Sequence, residues 1–209
     1  MAKRGTQLSD HILWAAKDVF LEMGFERASM DEVARRAETS KRTLYAHFES
    51  KENLFVAVLA LVRALLLSRL KLPGHYSAKP EEALALFCSR YLETLLYESS
   101  IRMCRLTMGE TDRFPEAAAG HFAALFTEVE TRIADYAAAA FGVPARTGRE
   151  FAEHLFGALL YPLFLNALFG LRPLTRDLEP DAAIPRFELK LVRKAVADNI
   201  AALPKPTRR

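Results

Sequence analysis

Residues 28–55 read ASMDEVARRAETSKRTLYAHFESKENLF. Ser29 has the chemistry of a helix N-cap and Glu32 follows three residues on, the spacing of a capping box that satisfies free backbone N–H groups at a helix start. Met30, Val33 and Ala34 then share one apolar face. Glu38 and Thr39 make a tight connection, Ser40 offers a second N-cap, and residues 41–48 make a helix too short to stand without packing partners. Ser50 caps a third helix. Two short helices with a tight turn between them decide the fold class of this segment.

The middle helix points to function. At about 100° per residue, Leu44 and Phe48 fall within about 40° of each other and form an inward face. The opposite arc carries Arg42, Thr43, Tyr45 and Ala46, with Lys41 and His47 at its edges and no carboxylate between Lys41 and Phe48. Surface helices are usually dressed with mixed Glu and Lys pairs. Hydrogen-bond donors and an aromatic hydroxyl suit phosphates and base edges instead, and a helix-turn-helix is how such a helix reaches the major groove.

These residues carry a resemblance. Residues 9–55 resemble the DNA-binding domain of TetR-family transcriptional repressors. The family's pattern here runs small-Gly-apolar-Ser, two variable residues, then Thr-Leu-Tyr-x-x-Phe-x-x-Lys-x-x-Leu. It appears as Ala37, Ser40, Thr43-Leu44-Tyr45, Phe48, Lys51 and Leu54. Two positions depart from it. Glu38 stands where the family usually has glycine, so a left-handed turn there carries about 1 kcal/mol of strain. Thr39 replaces the usual buried aliphatic residue. The remainder of the chain fits the family in length and helical character.

Across 209 residues the net charge is +3, too modest to announce a nucleic-acid binder, and 51% hydrophobic residues suffice to fill a core. Residues 1–55 hold nine Lys or Arg against nine Asp or Glu, so the positive signal is local: five basic and two acidic residues between Arg35 and Lys51. Asp10, Asp18 and Glu22 supply compensating acid on the first helix, as suits a helix facing away from DNA. Lys3 and Arg4 precede it as a candidate arm for backbone or minor groove. Cys88 and Cys104 have neither disulfide-framework nor metal-ligand spacing and read as buried thiols of a cytoplasmic protein. His11, His47, His75, His121 and His154 are dispersed, and neither a phosphate loop nor a nucleophile elbow occurs, so the expectation is a non-enzyme without cofactor or metal.

Helical periodicity runs through the whole chain. Ser9 is expected to cap the first helix, with Ile12, Ala16, Val19, Phe20 and Met23 as its core stripe and Gly24 as its end. The helix opened by Ser50 runs toward Leu70, a rod of about 30 Å at ~1.5 Å per residue. Pro73-Gly74 breaks it. Leu84, Phe87, Cys88, Tyr91, Leu92 and Leu95 form the next apolar face, Ile101–Met108 a shorter helix, and Phe122, Leu125, Phe126, Val129, Ile133 and Tyr136 another, closed by Gly142. Residues 151–171 lack formal charge from Leu155 onward. That segment reads as a helix buried against its own core on one side and a second subunit on the other, rather than a membrane span, since it contains Gly157, Pro162 and Asn166. Pro185 is expected to open the last helix, and the tail KPTRR is basic. The fold class is therefore all-α with about nine helices: residues 1–55 form a three-helix helix-turn-helix domain and residues 56–209 a helical effector-binding and dimerisation domain.

Phosphate contacts are assigned to Thr43, Tyr45, His47 and Lys51, and base reading to Arg42, Lys41 and Ala46, whose methyl suits a thymine methyl. The resemblance implies a homodimer released from a palindromic double-stranded DNA operator by a small molecule. Dimer contacts are expected from the apolar segment and the last helix, with Leu163 and Leu168 inside them. A mostly apolar effector is expected among Phe87, Tyr91, Phe122, Phe126 and Tyr161, with Tyr91, His121, His154 and Asn166 as polar candidates. Pro162 is expected to kink its helix beside that pocket. The competing reading is a ligand-binding or scaffold protein of the same fold without operator binding, which predicts no salt-dependent affinity for DNA.

Overall fold

The computed structural model describes the backbone of residues 2–204 and side chains from Leu8 to Pro204. The side chains of Lys3 and Arg4 and the basic tail at 205–209 lie outside the described residues. Nine helices account for most of the described chain: α1 (Ala2–Arg27, interrupted at Gly24), α2 (Met30–Arg36), α3 (Lys41–Phe48), α4 (Lys51–Ser68), α5 (Pro80–Leu95), α6 (Glu98–Gly109), α7 (115–141), α8 (Ala145–Leu168) and α9 (Leu189–Ala201). One isolated parallel bridge, Tyr97 to Thr175, stands outside them. α1 begins at Ala2, so Ser9 is an interior residue and not a cap. α9 begins at Leu189, four residues after Pro185.

The chain divides into two compact units. The first holds the residues through Leu65 together with Arg102–His121, and the second holds Leu66–Ile101 and everything from Phe122. The first unit is thus more than a three-helix bundle, because the end of α6 and the start of α7 pack into it.

In the first unit Gly24 takes φ 73 inside α1, turning the chain so that Phe25 folds back into the core. Phe25 meets Phe20, Phe55 and Phe114 with ring centroids 6.0, 5.2 and 5.0 Å away. Ile12, Val19, Val33, Leu44, Leu54, Val58 and Met103 complete this core. Each such side chain contributes about 1.5–3 kcal/mol on burial, which holds α2 and α3, helices too short to persist alone.

The second unit is built around α5, buried from Ala83 to Leu95. α7 and α8 lie close together at Gly148, where an added Cβ would sit 2.6 Å from the Ala134 carbonyl oxygen and 3.0 Å from the Ala138 Cβ. Both long helices contain a π turn. In α7 it spans Ala123–Thr127, and the Leu125 carbonyl accepts the Tyr91 hydroxyl at 2.8 Å. In α8 it spans Tyr161–Leu165 and includes Pro162. A widened turn carries a helix past a residue without an N–H, so α8 continues to Leu168 through a local irregularity at the position of the expected kink. Asn166 Nδ2 donates to the Pro162 carbonyl at 2.7 Å.

Two surface assignments change. Leu163 is buried at 6% exposure and faces its own core, and Leu168 is half-buried. Tyr161, Leu165 and Phe169, spaced four residues apart, are exposed apolar side chains of that region, at 73%, 40% and 79%, with Leu171 beyond them.

Candidate nucleic-acid interface

Both side-chain caps expected of the helix-turn-helix are made. The Ser29 hydroxyl accepts the Glu32 amide at 3.2 Å and the Ser40 hydroxyl accepts the Thr43 amide at 3.0 Å. The Ser50 hydroxyl likewise accepts the Asn53 amide at 3.1 Å at the start of α4. α2 ends in a Schellman turn: the Thr39 amide donates to the Ala34 carbonyl at 3.0 Å, and the Glu38 amide donates to Arg35 at 3.3 Å. Glu38 takes φ 47, the left-handed conformation that glycine adopts without cost. The strain read from the sequence is therefore present, and the turn forms in spite of it.

The Glu32 carboxylate does not return to the Ser29 amide as a full capping box would have it. It accepts from Arg35 at 2.9 and 2.7 Å and from Arg36 at 2.7 Å, and these guanidinium bonds lower its pKa to about 2. Arg36 also reaches Glu22 of α1 at 2.7 Å. Lys41 pairs with Asp31 at 2.5 Å. Of the five local cations, these contacts occupy three. Arg42 remains exposed, with no carboxylate beside it among the described residues.

The fifth cation, Lys51, has a use the sequence did not reveal. Its ammonium donates to the carbonyls of Phe25 at 2.9 Å, Glu26 at 3.2 Å and Ala28 at 3.1 Å, and sits 4.4 Å from the Phe25 ring centroid. A lysine in the first turn of a helix opposes the helix dipole. Here that cost is offset by the carbonyl-rich carboxyl end of α1, and all three ammonium donors are engaged. The clue lay in the misplaced charge, but its partner was 23 to 26 residues away in sequence. Lys51→Met is therefore expected to cost about 2 kcal/mol of stability and to leave the slope of log affinity for DNA against log salt unchanged. A fall of ~0.9 in that slope, the signature of one lost phosphate contact, would restore the phosphate assignment.

What α3 presents outward is Lys41, Arg42, Tyr45, Ala46 and His47, all exposed, with Thr43 half-buried and its hydroxyl 2.8 Å from that of Ser40. Tyr45 is 47% exposed, a large aromatic on the surface of a helix otherwise anchored by Leu44 and Phe48. Six residues assigned to reading thus lie on one short, capped, carboxylate-free helix.

The residues assigned to an effector do not converge. Phe87 and Tyr91 are buried, Tyr91 stacks on Phe156 at 5.7 Å, and Phe126 is half-buried between Phe122 and Phe164 at 5.0 and 5.3 Å. Phe122, His154 and Tyr161 are exposed on the protomer, unlike the other three. Helical periodicity marked Phe122 as inward, but the π turn that follows it shifts the register of the face. His121 is buried instead.

Residues 12–58 match the family described as bacterial regulatory proteins, tetR family, and residues 82–186 match the AefR-like transcriptional repressor C-terminal domain. The chain belongs to the TetR family of DNA-binding transcriptional regulators, a family of regulators and not of enzymes. The transcriptional activator FasR of Mycolicibacterium smegmatis is 52% identical over 48 residues, 23% of this chain and 22% of its own. The regulator QacR of Staphylococcus aureus is 42% identical over 52 residues, 25% and 28% respectively. The matched region thus spans about a quarter of the length of these curated relatives. Among solved structures, the flavonoid-responsive regulator FrrA aligns over 94% of both chains with TM-score 0.69 and 28% identity. A TetR-family protein from Mesorhizobium loti aligns over 95% of this chain and 97% of its own with TM-score 0.68 at 24% identity, which bears on the fold alone.

Proposed function

We propose that the protein is a cytoplasmic homodimeric repressor that reads an inverted repeat with α3 and is released by a small-molecule effector. The observation that carries this is the exposed, carboxylate-free face of α3, fixed at its amino end by Ser40 and at its core by Leu44 and Phe48. Arg42 is the principal base reader, with Lys41 and Ala46 beside it, and Thr43, Tyr45 and His47 contact phosphates. Lys41 exchanges Asp31 for DNA. One α3 reads only a few base pairs, so two copies must enter successive major grooves about 34–36 Å apart, or a multiple of that spacing. The apolar stripe of Tyr161 and Leu165 on α8 and Phe169 just past its end, together with Leu191 on α9, supplies the surface for a second copy. α8 is also long and apolar enough to cross a membrane, with 44% of its most apolar window buried. Pairing of two α8 helices accounts for that composition equally well.

Selection of bound duplexes from random sequence should return sites with dyad symmetry, and asymmetric sites would refute the dimeric reading. On the selected site, Arg42→Ala should cost about 1–3 kcal/mol and relax preference at one position per half-site. Tyr45→Phe removes only a hydroxyl and should weaken all sequences alike. Equal loss of specificity in both variants, measured by competition binding, would overturn the assignment of roles.

A further inference from the structure

Within the first unit, buried polar groups of α6 and α7 stand unused by DNA reading. His121 on α7 is buried in its unit, its Nε2 lies 3.9 Å from the Cys104 Sγ, and its Nδ1 has no partner among the described residues. Thr107, one turn beyond Cys104 on the same face of α6, is also buried, and its hydroxyl likewise has none. Orphaned buried polar atoms are few in folded proteins, so two within one unit, on successive helices, require an explanation. The third member is Arg63 of α4, half-buried. Its guanidinium lies against the backbone of Gly120, where a Cβ would overlap Nη1. No carboxylate stands beside it among the described residues.

The protonation states make this a set of donors. Burial pushes the Cys104 thiol up to about 12, so the sulfur carries its proton, and we take it as the donor to Nε2, 3.9 Å away. Burial, with the Arg63 charge next, lowers His121 to about 4, so the ring is neutral. With Nε2 the acceptor, the single ring proton resides on Nδ1. An Nδ1–H on α7, the Thr107 hydroxyl on α6 and the guanidinium against Gly120 are then three donors within one unit, and the complement of such a set is an anion with acceptor oxygens. In the same unit Met103 of α6 belongs to the apolar core, and Leu106, Phe114 and Ala117 pack against that core.

We propose that Arg63, Thr107 and His121 bind the carboxylate of an organic acid whose remainder is apolar, and that this acid is the effector. The proposal rests on the ligand-released reading above and replaces the aromatic pocket expected from sequence. α4 begins three residues after α3 ends. An acid drawing on Arg63 therefore acts on the helix that follows the reading helix, within a single unit of the fold. Gly120 belongs to the device, because a larger residue there displaces the guanidinium while leaving its charge.

The test pairs acids with their isosteric neutral amides, benzoate with benzamide and octanoate with octanamide. The full-length protein is titrated, and both thermal shift and release of its selected duplex are measured by fluorescence anisotropy. At least one acid should raise the melting temperature and release DNA with tenfold or greater advantage over its amide. The same acid should move the His121 ring nitrogen resonances. Arg63→Met and Thr107→Val should each weaken the acid response about tenfold or more, normalised to each variant's own operator affinity. Arg63→Lys should restore part of it, and Gly120→Ala should weaken it with Arg63 still in place. Equal action of acid and amide, an undiminished response in Arg63→Met, or no response of the wild type to either acid overturns the site. The wild-type comparison decides even where a variant fails to fold. Release by neutral compounds alone would sink the acid site and leave the ligand-released reading intact. Failure to bind any selected duplex would sink the reading itself.

Discussion

Glu93→Leu should destabilise the protein by about 3–5 kcal/mol, and adding Arg90→Met should recover a large part of that loss. Both residues are 1% exposed, on adjacent turns of α5. Arg90 Nη1 donates to Glu93 Oε2 at 2.6 Å. Its remaining donors reach the carbonyls of Glu179 at 3.2 Å, Pro180 at 3.1 Å and Ala183 at 2.8 Å. The other Glu93 oxygen accepts the Glu179 amide at 2.5 Å. Arg69 joins from beyond the end of α4, donating to the Glu179 carbonyl at 2.7 Å and pairing with Asp181 at 2.8 Å. Removing the carboxylate leaves the Arg90 charge buried with only loop carbonyls to stabilise it, and orphans the Glu179 amide. The double variant removes the charge as well, but the Pro180 and Ala183 carbonyls lose their donor while that of Glu179 keeps Arg69, so recovery should be incomplete. Equilibrium urea denaturation gives both numbers. A single-variant cost below about 1 kcal/mol would show that the pair does not hold the loop.

That network shows where sequence reasoning stopped. Helical period found α5 and its apolar face through Leu84, Phe87, Cys88, Tyr91, Leu92 and Leu95. Ser89, Arg90, Glu93 and Thr94 lie outside that apolar stripe and are buried all the same. They are buried because the segment from Thr175 to Phe187 covers them: the Ser89 hydroxyl donates to the Phe187 carbonyl at 2.7 Å, and the Glu98 amide donates to Thr175 at 2.8 Å. A covering loop has no periodicity of its own, and its partners lie some 90 residues upstream. Lys51 failed for the same reason, since its three carbonyl acceptors are set by tertiary approach. The reading helix succeeded for the opposite reason. Ser29, Ser40 and Ser50 cap their own helices within three residues, and Leu44 with Phe48 mark the inner face by spacing alone. Local chemistry was readable; the effector residues were not, because the π turns at Ala123–Thr127 and Tyr161–Leu165 shift a face that a constant period had extrapolated.

Leu163→Arg and Phe169→Arg, two charges placed six residues apart in sequence, should fail in different ways. Leu163 is packed inside the protomer, so an unpaired guanidinium there costs several kcal/mol of folding free energy and should give unfolded or aggregated protein. Phe169 is 79% exposed and one turn below Leu165 on the outer stripe. In a single protomer an arginine there is solvated and costs little. In a two-fold symmetric dimer the contact is isologous, so each substitution enters the interface twice. Two like charges brought into an apolar contact should raise the dimer dissociation constant by a factor on the order of a hundred or more, at ~1.4 kcal/mol per tenfold. Helical circular dichroism and melting should stay near those of the wild type at concentrations where the parent is monomeric. Analytical ultracentrifugation separates the two outcomes. Operator affinity of Phe169→Arg should fall with the dimer, because a monomer presents a single α3 to a site built for two. An intact dimer in Phe169→Arg would remove α8 from the interface and return its exposed aromatic stripe to some other partner. A folded Leu163→Arg monomer would mean that Leu163, and not Phe169, faces the second copy.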